Sequence, residues 1–198
     1  ALGEPMVEFN QTGDGGGSLY LQGFGGDTSN AAIAAARQGA RVGYISALGN
    51  DVYGGMLREL WTREGVDHGS VGTDPQAFTA VYFVTHDDKG HHFSFFRKGS
   101  AASRLRPEDL PANHIRGAKV LHLSGISAAI SDSACDSCFA AIDIAHQAGA
   151  KVSFDTNLRL KLWPIARASA VMRELIRKSD ICLPSFEDIS AISGLTDA

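Results

Sequence analysis

The second half of the chain alternates short apolar strands with amphipathic helices, and this pattern constrains the fold more than any other feature. Each of three strand patterns is followed by a helical one: 119–123 by 132–147, 151–154 by 166–178, and 180–183 by 186–192. Repeated strand–helix units predict an α/β fold with a parallel sheet covered by helices. Because ligands of such sheets bind at the carboxyl ends of the strands, we expect a site in the loops that follow them.

The first half contains one strong helical segment. An alanine-rich helix is predicted over 28–38, with Asp27 or Thr28 as its N-cap and Gly39 as its C-cap. A strand is predicted directly afterwards, over 41–47. Small alanine side chains allow such a helix to approach a sheet closely.

Two β-rich runs in the middle of the chain differ from the rest. After a predicted helix over 52–64, the runs 80–86 and 92–97 flank a turn and predict a hairpin. A hairpin-like segment within 7–22, with a glycine-rich turn, precedes the alanine-rich helix. We expect the two hairpins to pair into a small separate sheet.

Composition excludes several classes of protein. The chain has 18 Lys and Arg and 22 Asp and Glu, a net charge of −4, whereas proteins that hold nucleic acid by its phosphates are basic. The sequence shows neither an apolar run long enough to cross a bilayer nor an export signal, so we expect no membrane partner and a cytoplasmic location.

The chain starts with Ala1 and stops at Ala198 just after a helical segment, and we expect it to be a fragment.

The three cysteines do not indicate a site. An odd, small number argues against a disulfide scaffold. Cys135 and Cys138 have the spacing of a redox or metal pair, but no second pair completes a zinc site. We therefore assign no function to them.

A glycine-rich segment opens the alanine-rich helix. Gly25 and Gly26 would let a ligand approach the backbone, where the helix start offers free N–H groups, and Asp27 and Asn30 could bind hydroxyls. The segment has neither the dinucleotide-binding fingerprint nor the Gly-Lys-Ser/Thr of a P-loop. The alternative is a glycine-rich turn before a capped helix.

Polar side chains follow the aromatic strand of the predicted hairpin and the strand predicted over 151–154. Arg97 closes the aromatic strand that contains Phe95 and could pair with a carboxylate or a phosphate, unless it is merely a solvated strand end. Asp155, Asn157 and Arg159 alternate directly after a strand, where a parallel sheet places its ligands.

The last strand pattern leads into Ser185 and two acidic residues. Glu187 or Asp188 could hold hydrated Mg²⁺ beside a phosphate. Equally, Ser185 could be an N-cap, with the two carboxylates favourable in the first turn of a helix.

Taken together, these motifs resemble the ribokinase-like (PfkB) family of carbohydrate kinases over nearly the whole chain. The general match comprises Gly25-Gly26, Asn30-x-Ala32, Gly39 and Gly49-Asn-Asp51-x-x-Gly54. Within the family, the chain is most similar to 2-keto-3-deoxygluconate kinases. That similarity rests on Gly3-Glu4, Gly25 to Asn30, Tyr82, Phe96 to Ala101, Leu123 to Ile126, Asp155 to Arg159, and Leu183 to Ser185.

The resemblance implies a fold, a reaction and a set of site residues. It implies a three-layer α/β domain over 1–198, incomplete on its C-terminal side, with a central, mostly parallel sheet and a small β-sheet lid whose strands lie within about 7–22 and 78–98. It implies ATP-dependent phosphorylation of a sugar acid, 2-keto-3-deoxygluconate, to its 6-phosphate, with Mg²⁺. The sugar acid would lie between lid and sheet, and a homo-oligomer would form through the lid. The substrate-binding residues would be Gly25, Gly26, Asp27, Asn30, Tyr82, Phe95, Arg97, Ile126 and Arg159, with Asn157, Arg159 and Ser185 on the phosphate side and Asp188 at the metal.

The chain also departs from the family pattern. The Gly-Ala-Gly-Asp segment that supplies the catalytic aspartate is absent, as is most of the nucleotide-binding region, so we assign no catalytic residue and expect this chain alone to be inactive. The usual Asn-x-x-Glu near phosphate and magnesium appears as Ser185-x-x-Asp188, and Phe95 replaces a tyrosine. Three alternatives stay open: a kinase for ribose or fructose, a non-catalytic fragment that binds sugar acids, and a structural half that needs a partner chain.

Overall fold

The computed structural model describes residues 1–13 and 18–195, so residues 14–17 of the expected glycine-rich turn lie outside the described residues. The chain divides into two compact units. One is Glu4–Arg104, called here the amino-terminal unit. The other, called the carboxy-terminal unit, comprises Ala1–Gly3 and Leu105–Ala198.

The amino-terminal unit contains eight strands and two α-helices among its described residues. In chain order these are β1 (Met6–Gln11), β2 (Tyr20–Gly25), α1 (Asp27–Arg37), β3 (Val42–Gly43), β4 (Ser46–Gly49), α2 (Val52–Glu64), β5 (Val66–Asp67), β6 (Val71–Asp74), β7 (Val81–Asp87) and β8 (Gly90–Phe96), with a 3-10 helix at Ala102–Arg104.

The two hairpins of this unit pair into one four-stranded sheet, in the order β2-β1-β7-β8. The neighbours within each hairpin are antiparallel, whereas β1 and β7 are parallel. Glu8 lies opposite Tyr82, and Tyr82 lies opposite Phe95, so these three residues share one face. Two short parallel pairs, β3 with β5 and β4 with β6, complete the strands of the unit.

Aromatic residues and buried hydroxyls form the core beside α1 and α2. The rings of Tyr44 and Trp61 are fully buried, with centroids 4.8 Å apart. The Tyr44 hydroxyl hydrogen-bonds to Thr28 at 2.8 Å, and the Trp61 indole N–H donates to the Ser29 hydroxyl at 3.0 Å. The polar atoms of these large side chains are therefore satisfied by the first turn of α1.

Two boundaries in this unit differ from the sequence-based expectation. The N-cap of α1 is Gly26, at φ +104°, and not Asp27 or Thr28, because the backbone there takes a conformation that only glycine adopts easily. The C-cap is Gln38 rather than Gly39. The strand expected over 41–47 is divided into β3 and β4, which pair with different partners.

The carboxy-terminal unit follows the strand–helix alternation. In chain order its elements are a 3-10 helix at Pro107–Asp109, α3 (Ala112–Arg116), β9 (Val120–Ser124), α4 (Gly125–Ala129), α5 (Asp132–Gln147), β10 (Lys151–Asp155), α6 (Ile165–Arg177), β11 (Ile181–Leu183) and α7 (Phe186–Ser193). The short helices α3 and α4 are not predicted by the sequence pattern, because each has only one turn of helix to show a period.

The strands of this unit form the expected parallel sheet, in the order β11-β10-β9. Phe154 and Leu123 lie in its fully buried centre, together with Ile142 of α5 and Met172 of α6. Asp155 at the end of β10 is in register with Ser124 of β9 and with Leu183 of β11. The carboxyl ends of all three strands thus meet at one edge of the sheet.

Candidate active site

Two glycines at the junction of β2 and α1 leave room for close contacts. A Cβ on Gly25 would lie 2.5 Å from the hydroxyl oxygen of Tyr82, and a Cβ on Gly26 would lie 2.5 Å from the carbonyl oxygen of Glu4. Gly26 also begins α1, where the first backbone N–H groups have no partner within the helix. The space that a side chain would take at these two positions is therefore filled by Tyr82 and by the backbone of Glu4, and close approach of a ligand to this segment stays a prediction.

The first turn of α1 carries the two other polar candidates of this segment. The Asp27 carboxylate accepts a hydrogen bond from the backbone N–H of Thr28 at 2.8 Å. Asn30 lies one turn along with an exposed side chain, and its backbone N–H bonds to the carbonyl of Gly26. Asp27 thus helps to cap the helix from inside it, and Asn30 is accessible.

Tyr82 and Phe95 form an aromatic pair on one face of the four-stranded sheet. Their rings stack with centroids 5.4 Å apart. The Tyr82 hydroxyl donates a hydrogen bond to the carboxylate of Glu8. Burial, followed by this bond to a carboxylate, raises the pKa of Tyr82, so it stays a neutral donor.

Glu8 joins the candidate site through this bond to Tyr82, although the sequence analysis does not single it out. The period of two along β1 offers a signal, because it puts this charged side chain between apolar neighbours and on the face of Tyr82 and Phe95.

Arg97, which follows β8, forms an ion pair with Glu4. The side chain of Glu4 has 0% exposure and that of Arg97 has 12%. The Ser100 hydroxyl donates to the other carboxylate oxygen of Glu4 at 2.5 Å, and the Arg97 guanidinium carbon lies 5.8 Å from the ring centre of Phe95. Burial raises the pKa of Glu4, and the charge of Arg97 opposes this effect.

These contacts bring most candidates of the amino-terminal unit together. Gly25 approaches Tyr82, Tyr82 stacks on Phe95, and Phe95 lies beside Arg97. Glu4 closes the series, because it touches Arg97 with its side chain and Gly26 with its carbonyl group. The sequence pattern gave no sign that Arg97 has a buried carboxylate partner.

In the carboxy-terminal unit, the loop that follows β10 is fixed by α7. Oδ2 of Asp188 accepts hydrogen bonds from the Thr156 hydroxyl at 2.7 Å and from the backbone N–H of Leu158 at 3.1 Å. Asn157, between these two residues, has φ +33°, a left-handed conformation that asparagine tolerates better than most residues. The loop is thus held in one conformation at the carboxyl edge of the sheet.

Arg159 lies in the loop after β10, directly after Leu158, and Ser185 directly precedes α7. Arg159 is exposed, and one guanidinium nitrogen donates to the carbonyl of Leu158 at 2.9 Å. The hydroxyl of Ser185 caps α7 by accepting the backbone N–H of Asp188 at 3.1 Å. Ser185 is thus the N-cap of α7, as one of the two interpretations of this segment expects. The other interpretation, a magnesium site at Glu187 or Asp188, is compatible with this cap, because both carboxylates lie in the same first turn.

Ile126 is placed by a close approach between β9 and the loop after β10. A Cβ on the preceding residue, Gly125, would overlap the carbonyl oxygen of Thr156 and Cε of Met172. Glycine at this position therefore permits the two strand ends to come together. Ile126, in the first turn of α4, is partly exposed beside them.

Within the described residues, no cluster of three or more His, Cys, Asp or Glu side chains could hold a metal ion. Magnesium commonly takes one or two carboxylates together with water and phosphate oxygens. The partly buried carboxylate of Asp188 fits that limited role. Cys135 and Cys138 are free thiols buried in α5, and no helix among the described residues is long and apolar enough to cross a membrane.

Comparison with known proteins identifies relatives of this chain among sugar kinases. The fructokinase of Solanum tuberosum is 36% identical over 187 residues, which covers 91% of this chain and 57% of that protein. The 2-dehydro-3-deoxygluconokinase of Thermoproteus tenax is 33% identical over 210 residues, covering 100% of this chain and 62% of that protein. The chain thus spans about three fifths of the length of these relatives.

A solved structure confirms the expected ribokinase-like α/β fold. The fructokinase of Xylella fastidiosa with bound ATP superposes with a TM-score of 0.86 at 27% identity, covering 98% of this chain and 62% of that one. The sequence profile of pfkB family carbohydrate kinases matches residues 6–198. With both the motifs and the fold in agreement, the chain belongs to the pfkB family of carbohydrate kinases.

Proposed function

We propose that the full-length protein phosphorylates 2-keto-3-deoxygluconate with ATP, giving the 6-phosphate. The observation that carries this proposal is the pair of arginines at strand ends, Arg97 after β8 and Arg159 in the loop after β10. A guanidinium group matches a carboxylate in charge and in shape. Neutral sugars need no such pair.

The remaining candidates would orient the sugar acid. The backbone of Gly25 and Gly26 would approach the substrate, Asp27 and Asn30 would bind its hydroxyls, and Tyr82, Phe95 and Ile126 would provide apolar walls. Burying the apolar edges of a sugar while a few polar groups fix its orientation is the usual division of labour in a small-molecule site.

On the phosphate side we assign Asn157, Arg159 and Ser185, with Asp188 as a magnesium ligand. When bound, Mg²⁺ would neutralise phosphate charge, and transfer then depends mainly on positioning and electrostatics. The Xylella fastidiosa relative binds ATP, which supports the same phosphate donor here. We assign no catalytic base, because the Gly-Ala-Gly-Asp segment is not among the 198 residues.

Fructose is a second candidate substrate, and a specific contact favours it. Because Glu4 pairs with Arg97, the charge of this arginine is already offset, and a neutral sugar could use the remaining N–H groups. The relative from Solanum tuberosum is named a fructokinase. The preference between an acid and a neutral sugar therefore depends on Arg159 as well as on Arg97.

The test compares kcat/KM of the full-length kinase for 2-keto-3-deoxygluconate, fructose and ribose, with ATP and Mg²⁺. We expect the sugar acid to be preferred. In Arg159→Ala, we expect its kcat/KM to fall about tenfold or more, the value of a charge-assisted bond, while that for fructose changes little. Lys161→Ala, which removes an exposed charge from the same loop, is the control. Preference for fructose, or equal losses for both sugars in Arg159→Ala, would contradict the proposal.

We also propose a cytoplasmic homo-oligomer. ATP, the proposed phosphate donor, is a cytoplasmic metabolite. The face of the four-stranded sheet that carries Phe83, opposite to that of Tyr82 and Phe95, exposes Tyr20 and Phe96 on its outer strands, and pairing with a second copy would bury them. Sedimentation of the full-length protein should give a dimer, and Phe96→Glu should shift it towards the monomer. A wild-type monomer would exclude this assembly.

A further inference from the structure

Glu4 is a carboxylate that the proposed function does not use, although it contacts two candidate substrate-binding residues. Its side chain is fully buried, and its backbone carbonyl lies against Gly26. Its two carboxylate oxygens meet Arg97 and Ser100. A buried carboxylate with partners on both oxygens is held in one position.

The charges around Glu4 leave one negative charge in excess before any substrate arrives. Arg97 contributes one positive charge and the Ser100 hydroxyl one hydrogen bond, while Asp27 at the start of α1 adds a second negative charge. The hydroxyl of Tyr44, on the segment between β3 and β4, also interacts electrostatically with Glu4 and stays neutral, since burial raises the pKa of Tyr44. Arg97 therefore does not present a full free charge to a ligand.

A substrate carboxylate and Glu4 compete for the same guanidinium group. If Arg97 turns towards an incoming anion, Glu4 is left buried without a counter-charge, which is costly in a protein interior. Protonation from solvent removes that cost, because a neutral carboxyl can stay buried with its Ser100 bond. A neutral sugar can bind the outer N–H groups without disturbing the pair.

We propose that Glu4 is a positioning and specificity-determining residue: it holds Arg97 and offsets its charge, so that a sugar acid binds with uptake of one proton by Glu4 and a neutral sugar binds without it. This inference rests on the proposed assignment of Arg97 to the substrate site. It concerns how Arg97 discriminates between sugars, whichever of them the wild-type kinase prefers.

The first test uses the unmodified full-length kinase. Binding of 2-keto-3-deoxygluconate and of fructose is measured by calorimetry at about pH 8 in two buffers of different ionisation enthalpy, so that any proton taken up on binding is counted. We expect uptake of up to one proton with the acid and none with fructose. The same proton count for both sugars would overturn the inference, and this result does not depend on any variant folding.

The second test removes the charge of Glu4. In Glu4→Gln we expect the proton uptake to disappear, because the amide does not titrate. We also expect the affinity for the acid, relative to fructose, to rise about tenfold, because the substrate carboxylate no longer competes with a charged side chain for Arg97. Glu64→Gln is the matched control: it removes the same charge from another Arg–Glu ion pair of the same unit, in which the arginine, Arg37, is exposed. We expect the control to keep both the proton count and the affinity ratio.

The outcomes separate this inference from the proposed function. A wild-type kinase that prefers fructose, with a shift towards the acid in Glu4→Gln, contradicts the proposed substrate and supports the role of Glu4. A wild-type preference for the acid that is unchanged in Glu4→Gln overturns the role of Glu4 alone. If the wild-type kinase binds no acid, Glu4→Gln should gain measurable binding, and failure to gain it overturns the inference.

Discussion

Asp188 and Thr156 are joined by a hydrogen bond of 2.7 Å that ties the start of α7 to the loop after β10. The same carboxylate oxygen accepts the backbone N–H of Leu158. One side chain therefore holds the loop on both sides of Asn157, and Arg159 follows directly. Asp188 sets the backbone from which these candidate phosphate-side residues extend, in addition to any role as a metal ligand.

Replacing Asp188 should loosen this loop. We expect Asp188→Ala to lower the free energy of unfolding by about 2 kcal/mol, because two donors lose a charged acceptor. Asp188→Asn keeps one oxygen acceptor and should lose less. Urea unfolding gives the free energies, and hydrogen exchange at the amide of Leu158 should speed up in the alanine variant.

The neighbouring residue provides the control for Asp188. Glu187 is an exposed carboxylate in the same first turn, so Glu187→Ala should change stability by less than about 0.5 kcal/mol. If the Leu158 amide exchanged at the wild-type rate in Asp188→Ala, the loop would be held by other contacts.

Gly26→Ala should be among the most damaging small substitutions in the amino-terminal unit. The added Cβ would lie 2.5 Å from the Glu4 carbonyl oxygen, at a residue whose φ is +104°. Strain and overlap together should cost about 3 kcal/mol or more, measured by urea unfolding.

Gly55→Ala is the matched control for this substitution. Gly55 is an exposed position in α2, and a Cβ there would meet no atom within 4 Å. Alanine should stabilise the helix by about 0.5–1 kcal/mol. Equal effects of the two alanines would mean that the backbone at Gly26 adapts freely.

The regular elements were predictable from the sequence because their signals are local. The limits of α5 and of α2 agree with the sequence prediction, since the hydrophobic period lies within the helix and the caps lie directly beside it. Parallel pairing of β9, β10 and β11 followed from the strand–helix alternation. The N-cap of α1 was predicted wrongly: it is Gly26, which has a positive φ and packs closely against the backbone of Glu4, a residue distant in the sequence.

The candidate site was only partly predictable for a related reason. The polar residues that follow the strands could be recognised from the sequence. The residues that bond to them lie far away in the chain. Ser100 meets Glu4 from 96 positions away, and Asp188 meets Thr156 from 32 positions away. No periodicity connects such pairs, so the burial of Glu4 beside Arg97 required the folded structure.

The bond between Tyr82 and Glu8 can be measured separately from the stacking of Tyr82 on Phe95. Tyr82→Phe keeps the ring and removes the hydroxyl, so we expect a loss of stability of about 1–2 kcal/mol. Glu8→Gln keeps an acceptor and should cost less. A double-mutant cycle over the two positions should give a coupling energy of about 1 kcal/mol, and additive effects would contradict a direct bond.

Asp180 should make stability depend on pH on the acid side. The Lys151 ammonium at 2.7 Å, followed by the backbone N–H of Val152 at 2.8 Å, lowers the pKa of this carboxyl group. A carboxyl group with a lowered pKa in the folded state stabilises the protein above its unfolded pKa, near 3.9, and loses this contribution as the pH falls through the folded value.

Asp180→Asn should therefore have a lower melting temperature than the wild type at neutral pH. The difference should shrink as the pH falls below about 4 and vanish once the carboxyl group is protonated in both states. Asp88→Asn, at an exposed turn between β7 and β8, should change the melting temperature little at any pH. A constant difference between Asp180→Asn and wild type across the acid range would show that the ionised carboxylate does not stabilise the junction of β10 and β11.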